Sequence, residues 1–338
     1  MLKNFEKSRC YIIAEIGGNF TTFEQAKRLV DEAHKCGVDA VKLQTYKAET
    51  IVTKTAKFDL DNVGSILQYD LFKKYEIDKN LHKRVFAYID SKGLDWFSTP
   101  SHKSDVDMLE KLGVPAHKLG ADDATNLPLI QYVASTQKPI MLSTGMCTQK
   151  EIDEMVEVCL ITGNENIVLF HTVSNYPTYS DQVNLLAIQT LKREFPQLTI
   201  GFSDHTIGTT ASIAAACLGA EVLEKHFTYD KNAEGPDHQL SANPSEMKEI
   251  VSRIREFEVM KGSGIKRPVG KEITNRKKNR KSLVAIKSIK KDEKLTSDNI
   301  DIKRPGDGIE PKYFKKVLGK HAKEDIPNDE VLHWGSIL

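Results

Sequence analysis

A chain of 338 residues, 40% hydrophobic and 28% charged, has the composition of a soluble globular protein with room for two or three domains, or for one large barrel with an appendage. No apolar run approaches the ~18–20 residues of a membrane-spanning helix, which excludes that class, and no membrane partner is expected. The opening MLKNFEKSRCYIIAEIGG has no apolar stretch with a cleavage site, and the five cysteines never form a CxxC pair, so a reduced, cytoplasmic protein without a secretory signal is expected.

The elements follow an alternating order. Short apolar runs predict strands at Tyr11–Ile16, Ala40–Gln44, Asp95–Ser98, His117–Leu119, Pro139–Leu142, Ile167–Phe170, Thr199–Phe202 and Val222–Lys225. Helical patterns lie between them. Phe23, Ala26, Val30 and Ala33 recur along one face, Thr148–Glu151 reads as a capping box, and Asn243-Pro244 offers an N-cap with proline at the first helical position. Near-continuously apolar strands separated by helices mean a parallel sheet, and eight such units in about 260 residues match a (β/α)8 TIM barrel. The alternative is an open doubly wound sheet, which would carry GxGxxG after its first strand. Here Glu15-Ile-Gly-Gly-Asn19 follows instead.

The net charge of +1 hides a division. Residues 1–260 hold 28 basic against 36 acidic residues, whereas residues 261–281 hold nine against one. That Gly/Pro-punctuated stretch lacks the interleaved aromatics of a single-strand binder, so it reads as an extended basic linker, with no nucleic-acid partner. The expected division is a barrel domain over 1–262, the linker over 263–281 and a small domain over 282–338.

Each predicted strand ends in polar residues: Glu15, Lys42 with Gln44, Ser98-Thr99, Lys118, Ser143-Thr144, His171, Ser203-Asp204-His205 and Lys225-His226. Barrel enzymes build their sites at this end. Lys42 and Gln44, two apart, share a face. Lys42 and Lys118, beside Thr99, Ser143 and Ser203, make a pocket for a small, multiply negative molecule such as a phosphorylated carboxylate. His205 and His226 end adjacent strands, close enough to share one ion, with Glu15, water or substrate supplying oxygen. That donor set suits a divalent metal such as Mn²⁺, with Mg²⁺ or Co²⁺ as alternatives. Asp237 is a candidate further ligand or base, and His171 reads as structural.

The runs YIIAEIGGN (11–19), DAVKLQTYKAE (39–49), FSTP (97–100), KPIMLSTGM (138–146), GFSDHT (201–206), EKHFTYDKNAEGPDH (224–238) and KRPGDGI (303–309) resemble the sialic acid synthases over nearly the whole chain. That resemblance implies an α/β fold, a TIM barrel followed by a small antifreeze-like (SAF, β-clip) domain. It also implies a transferase that condenses phosphoenolpyruvate with ManNAc or a related N-acyl hexosamine. In such a reaction the ion polarises the aldehyde, water adds at phosphoenolpyruvate C2 and phosphate leaves. Position by position, it implies metal binding by His205 and His226, and a phosphoenolpyruvate pocket of Lys42, Thr99, Lys118, Ser143, Ser174 and Ser203. Glu15, Gln44, Tyr176 and Asp237 would lie near the metal or the acceptor. Arg304 of a partner chain in a domain-swapped homodimer would hold the acceptor's N-acetyl group. Legionaminate and pseudaminate synthases, a catalytically silent paralogue and a purely carbohydrate-binding or ice-binding protein are the competing readings.

One segment departs from the pattern. Where the resembling family reads GSGE, this chain has Gly120-Ala121-Asp122-Asp123. Ala121 removes a hydroxyl that would donate to phosphate, and Asp123, at the matching position and the candidate in that role, shortens the carboxylate implied for acid–base work. Either Asp122 or Asp123 then substitutes with adjusted geometry, or the acceptor differs, or activity is reduced.

Overall fold

The computed structural model describes residues 2–60 and 64–338, which divide into two compact units, Met1–Lys261 and Gly262–Leu338. The first runs β1 (Tyr11–Glu15), α1 (Phe23–Cys36), β2 (Ala40–Thr45), α2 (Ala48–Ile51), β3 (Lys57–Leu60), β4 (Gly64–Leu67), α3 (Gln68–Tyr75) and α4 (Lys79–Ser91). It continues with β5 (Asp95–Pro100), α5 (Lys103–Leu112), β6 (His117–Leu119), α6 (Leu127–Ala134), β7 (Ile140–Ser143) and α7 (Gln149–Ile161). β8 (Ile167–Thr172), α8 (Ala187–Glu194), β9 (Thr199–Asp204), α9 (Thr210–Cys217), β10 (Val222–His226) and α10 (Pro244–Lys261) complete it.

Eight of these strands close a parallel barrel in the order β1-β10-β9-β8-β7-β6-β5-β2. All eight expected strands are present, with ends shifted by up to two residues. The antiparallel β3–β4 hairpin and its neighbours α2 and α3 form an insertion that the apolar pattern does not announce.

Local chemistry sets the helix boundaries. Thr22 and Gln25 form a capping box at α1, as Thr148 and Glu151 do at α7, and Asn243 Oδ1 accepts the Glu246 amide at the start of α10. Ala26, Val30 and Ala33 bury the expected face of α1. Inside the barrel, Tyr11, Ile13, Phe97, Met141, Phe170 and Val222 fill the half nearer the strand N-termini. Gly201 leaves the space that Phe170 occupies: a Cβ there would lie 2.8 Å from the ring and 2.9 Å from the Val222 carbonyl. The lower barrel is a packed plug, so polar side chains gather at the C-terminal mouth.

The second unit contains α11 (Lys271–Asn279), β11 (Ser282–Ala285), β12 (Ile300–Lys303) and α12 (Phe314–Val317), with β11 and β12 antiparallel. Leu283, Ile289, Leu295, Ile300, Ile326 and Leu332 belong to its own core. The expected extended linker is corrected here, because residues 271–279 are helical. That stretch has no internal Gly or Pro, and its charges complement the helix dipole, with Glu272 in the first turn and Arg276, Lys277 and Lys278 in the last.

Candidate active site

The floor of the site is a buried charge cluster. Lys42 on β2 donates to Thr99 Oγ1 at 2.7 Å and pairs with Glu15 at the end of β1. Lys118 on β6 donates to Ser143 Oγ at 2.6 Å on neighbouring β7. Between them stands Glu224 on β10, whose Oε1 lies 3.7 Å from Lys42 Nζ and 3.5 Å from Lys118 Nζ, and accepts from Ser203 Oγ at 3.3 Å. All four charged side chains are buried.

Burial works against the Lys42 ammonium, but Glu15 and Glu224 outweigh it and hold its pKa above the ordinary lysine value. Burial dominates at Lys118, whose pKa lies below the ordinary value despite Glu224. Glu224 faces both lysines, and they outweigh the burial penalty and lower its pKa. At Glu15 burial prevails over the Lys42 charge and raises it. The cluster is therefore close to neutral as it stands, with two hydroxyl-tethered cations available to an incoming anion.

Glu224 was absent from the sequence expectations, which took Lys225 and His226 as the polar end of that strand. The signal was present in the alternation: Glu224 and His226 are two apart and share a face, which turns Lys225 outward. Lys225 and Asp204 are accordingly corrected. They pair with each other at 2.8 Å on the helix side of the sheet and do not line the mouth.

Glu15 is the Cα partner of both Lys42 and His226, so it joins the lysine floor to the histidines. Its neighbour Gly17 tolerates no side chain, because a Cβ there would lie 2.8 Å from the Gln44 backbone nitrogen. Above the floor, the rings of His205 and His226 lie 5.7 Å apart. His205 Nδ1 donates to the Val173 carbonyl at 2.7 Å, which leaves Nε2 with its lone pair. His226 Nδ1 is buried without a hydrogen-bond partner, 3.5 Å from Asp237 Oδ2. Burial lowers both imidazole pKa values, that of His226 well below the ordinary value, so both are neutral. Tyr176 stacks on His205 at 4.1 Å and stands edge-on to His226 at 6.1 Å.

Two neutral imidazoles, one with an orphaned buried nitrogen, fit two positions around a divalent ion. Among the described residues no cluster of three or more His, Cys, Asp or Glu could hold a metal alone, so this fit leaves the remaining positions to water or substrate. Burial raises the Asp237 carboxyl to about 7.

Ser174 Oγ is buried and unpartnered beside Gly145, and a Cβ on Gly145 would lie 2.9 Å from that of Ala121. Asp123, on a single 3-10 turn after β6, accepts from Asn126 Nδ2 at 2.8 Å, and the other charges acting on it are Asp122 and Asp105. Asp123 is thereby tied to Asn126, the N-cap of α6, and neither floor lysine is among the charges that act on it. His171 Nε2 donates to the Val183 carbonyl at 2.7 Å and the ring stacks on Phe202, a structural placement. Arg304 is exposed just beyond β12 in the second unit, where the Gly306 amide donates to the Lys277 carbonyl at 2.7 Å.

The chain as a whole matches known families and relatives. The NeuB family matches residues 29–266 and the SAF domain residues 280–338. An N,N'-diacetyllegionaminic acid synthase of Legionella pneumophila is 38% identical over 97% of this chain and 94% of its own length. A pseudaminic acid synthase of Campylobacter jejuni is 32% identical over 97% of this chain and 96% of its own. The crystal structure of N-acetylneuraminic acid (sialic acid) synthetase from Leptospira borgpetersenii, in complex with citrate, superposes with a TM-score of 0.70 at 30% identity, covering 79% of this chain and 90% of that one. A closed eight-stranded parallel barrel with this polar mouth, followed by a SAF domain, thus makes the chain a member of the NeuB family.

Proposed function

We propose that this protein is a nonulosonate synthase, an enzyme that condenses phosphoenolpyruvate with an open-chain 2-acetamido hexose, ManNAc or a relative, and releases phosphate. The observation that carries the reading is the floor: two buried lysines, each tethered to a hydroxyl of the adjacent strand and both facing Glu224, directly below a pair of neutral histidines. Its relatives among the legionaminic and pseudaminic acid synthases support the same class.

In this reading Lys42 and Lys118 balance the carboxylate and phosphate charges of phosphoenolpyruvate. Thr99, Ser143, Ser174 and Ser203 supply hydroxyls to its oxygens. A divalent ion, Mn²⁺ by the nature of the donors, would be held by His205 and His226 and would supply Lewis acidity at the acceptor aldehyde. Phosphoenolpyruvate C3 forms the new C–C bond to that aldehyde carbon. Water adds at C2, and the C2–O bond to phosphate breaks, which balances the reaction. Glu15, Asp123 and Asp237 are the groups assigned to proton transfer, while Gln44 and Tyr176 orient the acceptor, and Arg304 of a partner chain contacts its N-acetyl group.

A second reading is a diacetamido acceptor of the legionaminate type. It is supported by the 38% identity to that synthase. Both are tested by incubating the purified chain with phosphoenolpyruvate, Mn²⁺ and a panel of mono- and diacetamido hexoses. Phosphate release with one of them is expected, and absence of release with every aldehyde overturns the proposal.

A further inference from the structure

We infer that the buried Asp204–Lys225 ion pair is a positioning device that sets the orientation of His205 and His226, an inference that rests on the metal reading proposed above. Asp204 immediately precedes His205 and Lys225 immediately precedes His226, and the two are direct Cα partners in the β9–β10 ladder. Successive side chains in a strand point to opposite faces. Whatever locks residues 204 and 225 on the helix side therefore locks the backbone that carries the two imidazoles on the other.

The contacts have the form such a lock requires. Lys225 Nζ donates at 2.8 Å to Asp204 Oδ2 and at 2.8 Å to the Thr206 carbonyl, gripping the chain on both sides of His205. Asp204 Oδ1 accepts the Thr206 amide at 2.8 Å, closing a tight loop around the histidine, and Oδ2 also accepts the Ser212 hydroxyl of α9. The helix layer, the pair and the histidine backbone are thus one connected polar unit. The pair's two side chains are only 0% and 1% exposed. A buried ion pair is often no more stabilising than well-packed apolar residues, so stability alone is a weak reason to build one. Its placement behind both imidazoles supplies another.

The test measures Mn²⁺ affinity by calorimetry on the full chain, and the His205 tautomer from side-chain ¹⁵N shifts of the metal-free protein. Three variants are compared: Ser212→Ala, which alanine's helix preference keeps folded, Asp204→Asn, and the neutral double variant Asp204→Asn with Lys225→Met, which strands no buried charge. Val133→Ala, buried in α6, serves as the destabilised control. A positioning role predicts a loss of Mn²⁺ affinity of about 10–100-fold in the two Asp204 variants and a smaller loss in Ser212→Ala. It also predicts a mixed His205 tautomer in the Asp204 variants, with both readouts unchanged in the control. Wild-type affinity and a single tautomer in folded Asp204 variants overturn the inference. Mn²⁺ binding that survives loss of both histidines, or no binding by the unaltered chain, overturns the metal reading instead. The tautomer readout then still decides the positioning claim.

Discussion

Glu224 Oε1 lies 3.5 Å from Lys118 Nζ in the barrel interior, where neither side chain is more than 5% exposed. Lys118 is the lysine whose pKa burial has lowered, and Glu224 is the charge that most opposes that fall.

Glu224→Gln keeps the shape and the Ser203 contact while removing the charge. Lys118 must be protonated to bind an anion, so a further fall in its pKa moves the loss of binding to lower pH. The alkaline limb of the kcat/KM profile for phosphoenolpyruvate should shift down by about 1–3 pH units, with kcat/KM at neutral pH at least about tenfold lower. An unchanged profile refutes the role.

Metal dependence is tested by removal and return. Treatment with a chelator should abolish phosphate release and added Mn²⁺ should restore it. The His205→Ala, His226→Ala double variant should be inactive under both conditions. Undiminished turnover in that variant sinks the metal assignment.

Asp123 sets a pH dependence of stability. Burial raises its carboxyl from the ordinary 3.8 to about 6. A folded-state pKa above the unfolded one means the folded chain holds the proton more tightly. That stabilisation is complete below about pH 4 and is lost as pH rises through about 6. Asp123→Asn should therefore melt higher than wild type at pH 8, by the equivalent of about 1–3 kcal/mol, and close to wild type at pH 4. Differential scanning calorimetry at the two pH values checks it, and an equal offset at both contradicts the assignment.

The segment that departs from the resembling family has its own test. Ala121→Ser with Asp123→Glu restores GSGE apart from the intervening Asp122. If the departure weakens contacts to a shared substrate, kcat/KM on ManNAc should rise on the order of tenfold, the worth of one charge-assisted hydrogen bond. The added methylene enters a buried site, at a packing cost of about 1–3 kcal/mol. A fall on ManNAc, with the unaltered enzyme active on a diacetamido sugar, shows instead that the segment selects the acceptor.

Arg304 is tested by complementation. A His205→Ala chain mixed with an Arg304→Ala chain under subunit exchange should recover about a quarter of wild-type activity if the arginine acts in the partner's site, because half the dimers are mixed and each has one intact site. No recovery despite verified exchange refutes the shared site.

Much of this architecture is legible in one dimension. Strands buried on both faces leave unbroken apolar runs, and the Thr148–Glu151 and Asn243-Pro244 caps mark helix starts, because both signals depend on residues a few positions apart. Local patterning also brought Lys42 beside Thr99, Lys118 beside Ser143, and His205 near His226, since adjacent strands with polar ends must meet at one mouth. Alternation puts Glu224 on the face of His226 and Lys225 on the opposite one, but the partners on each face come from other strands. Closure of the barrel brought Glu224 to both lysines and Asp204 to Lys225. The β3–β4 insertion and the tie of Asp123 to Asn126 were likewise decided in three dimensions. Pairing partners come from distant parts of the chain, and the burial that shifts a carboxyl or a lysine pKa exists only once the surrounding strands and helices have excluded water.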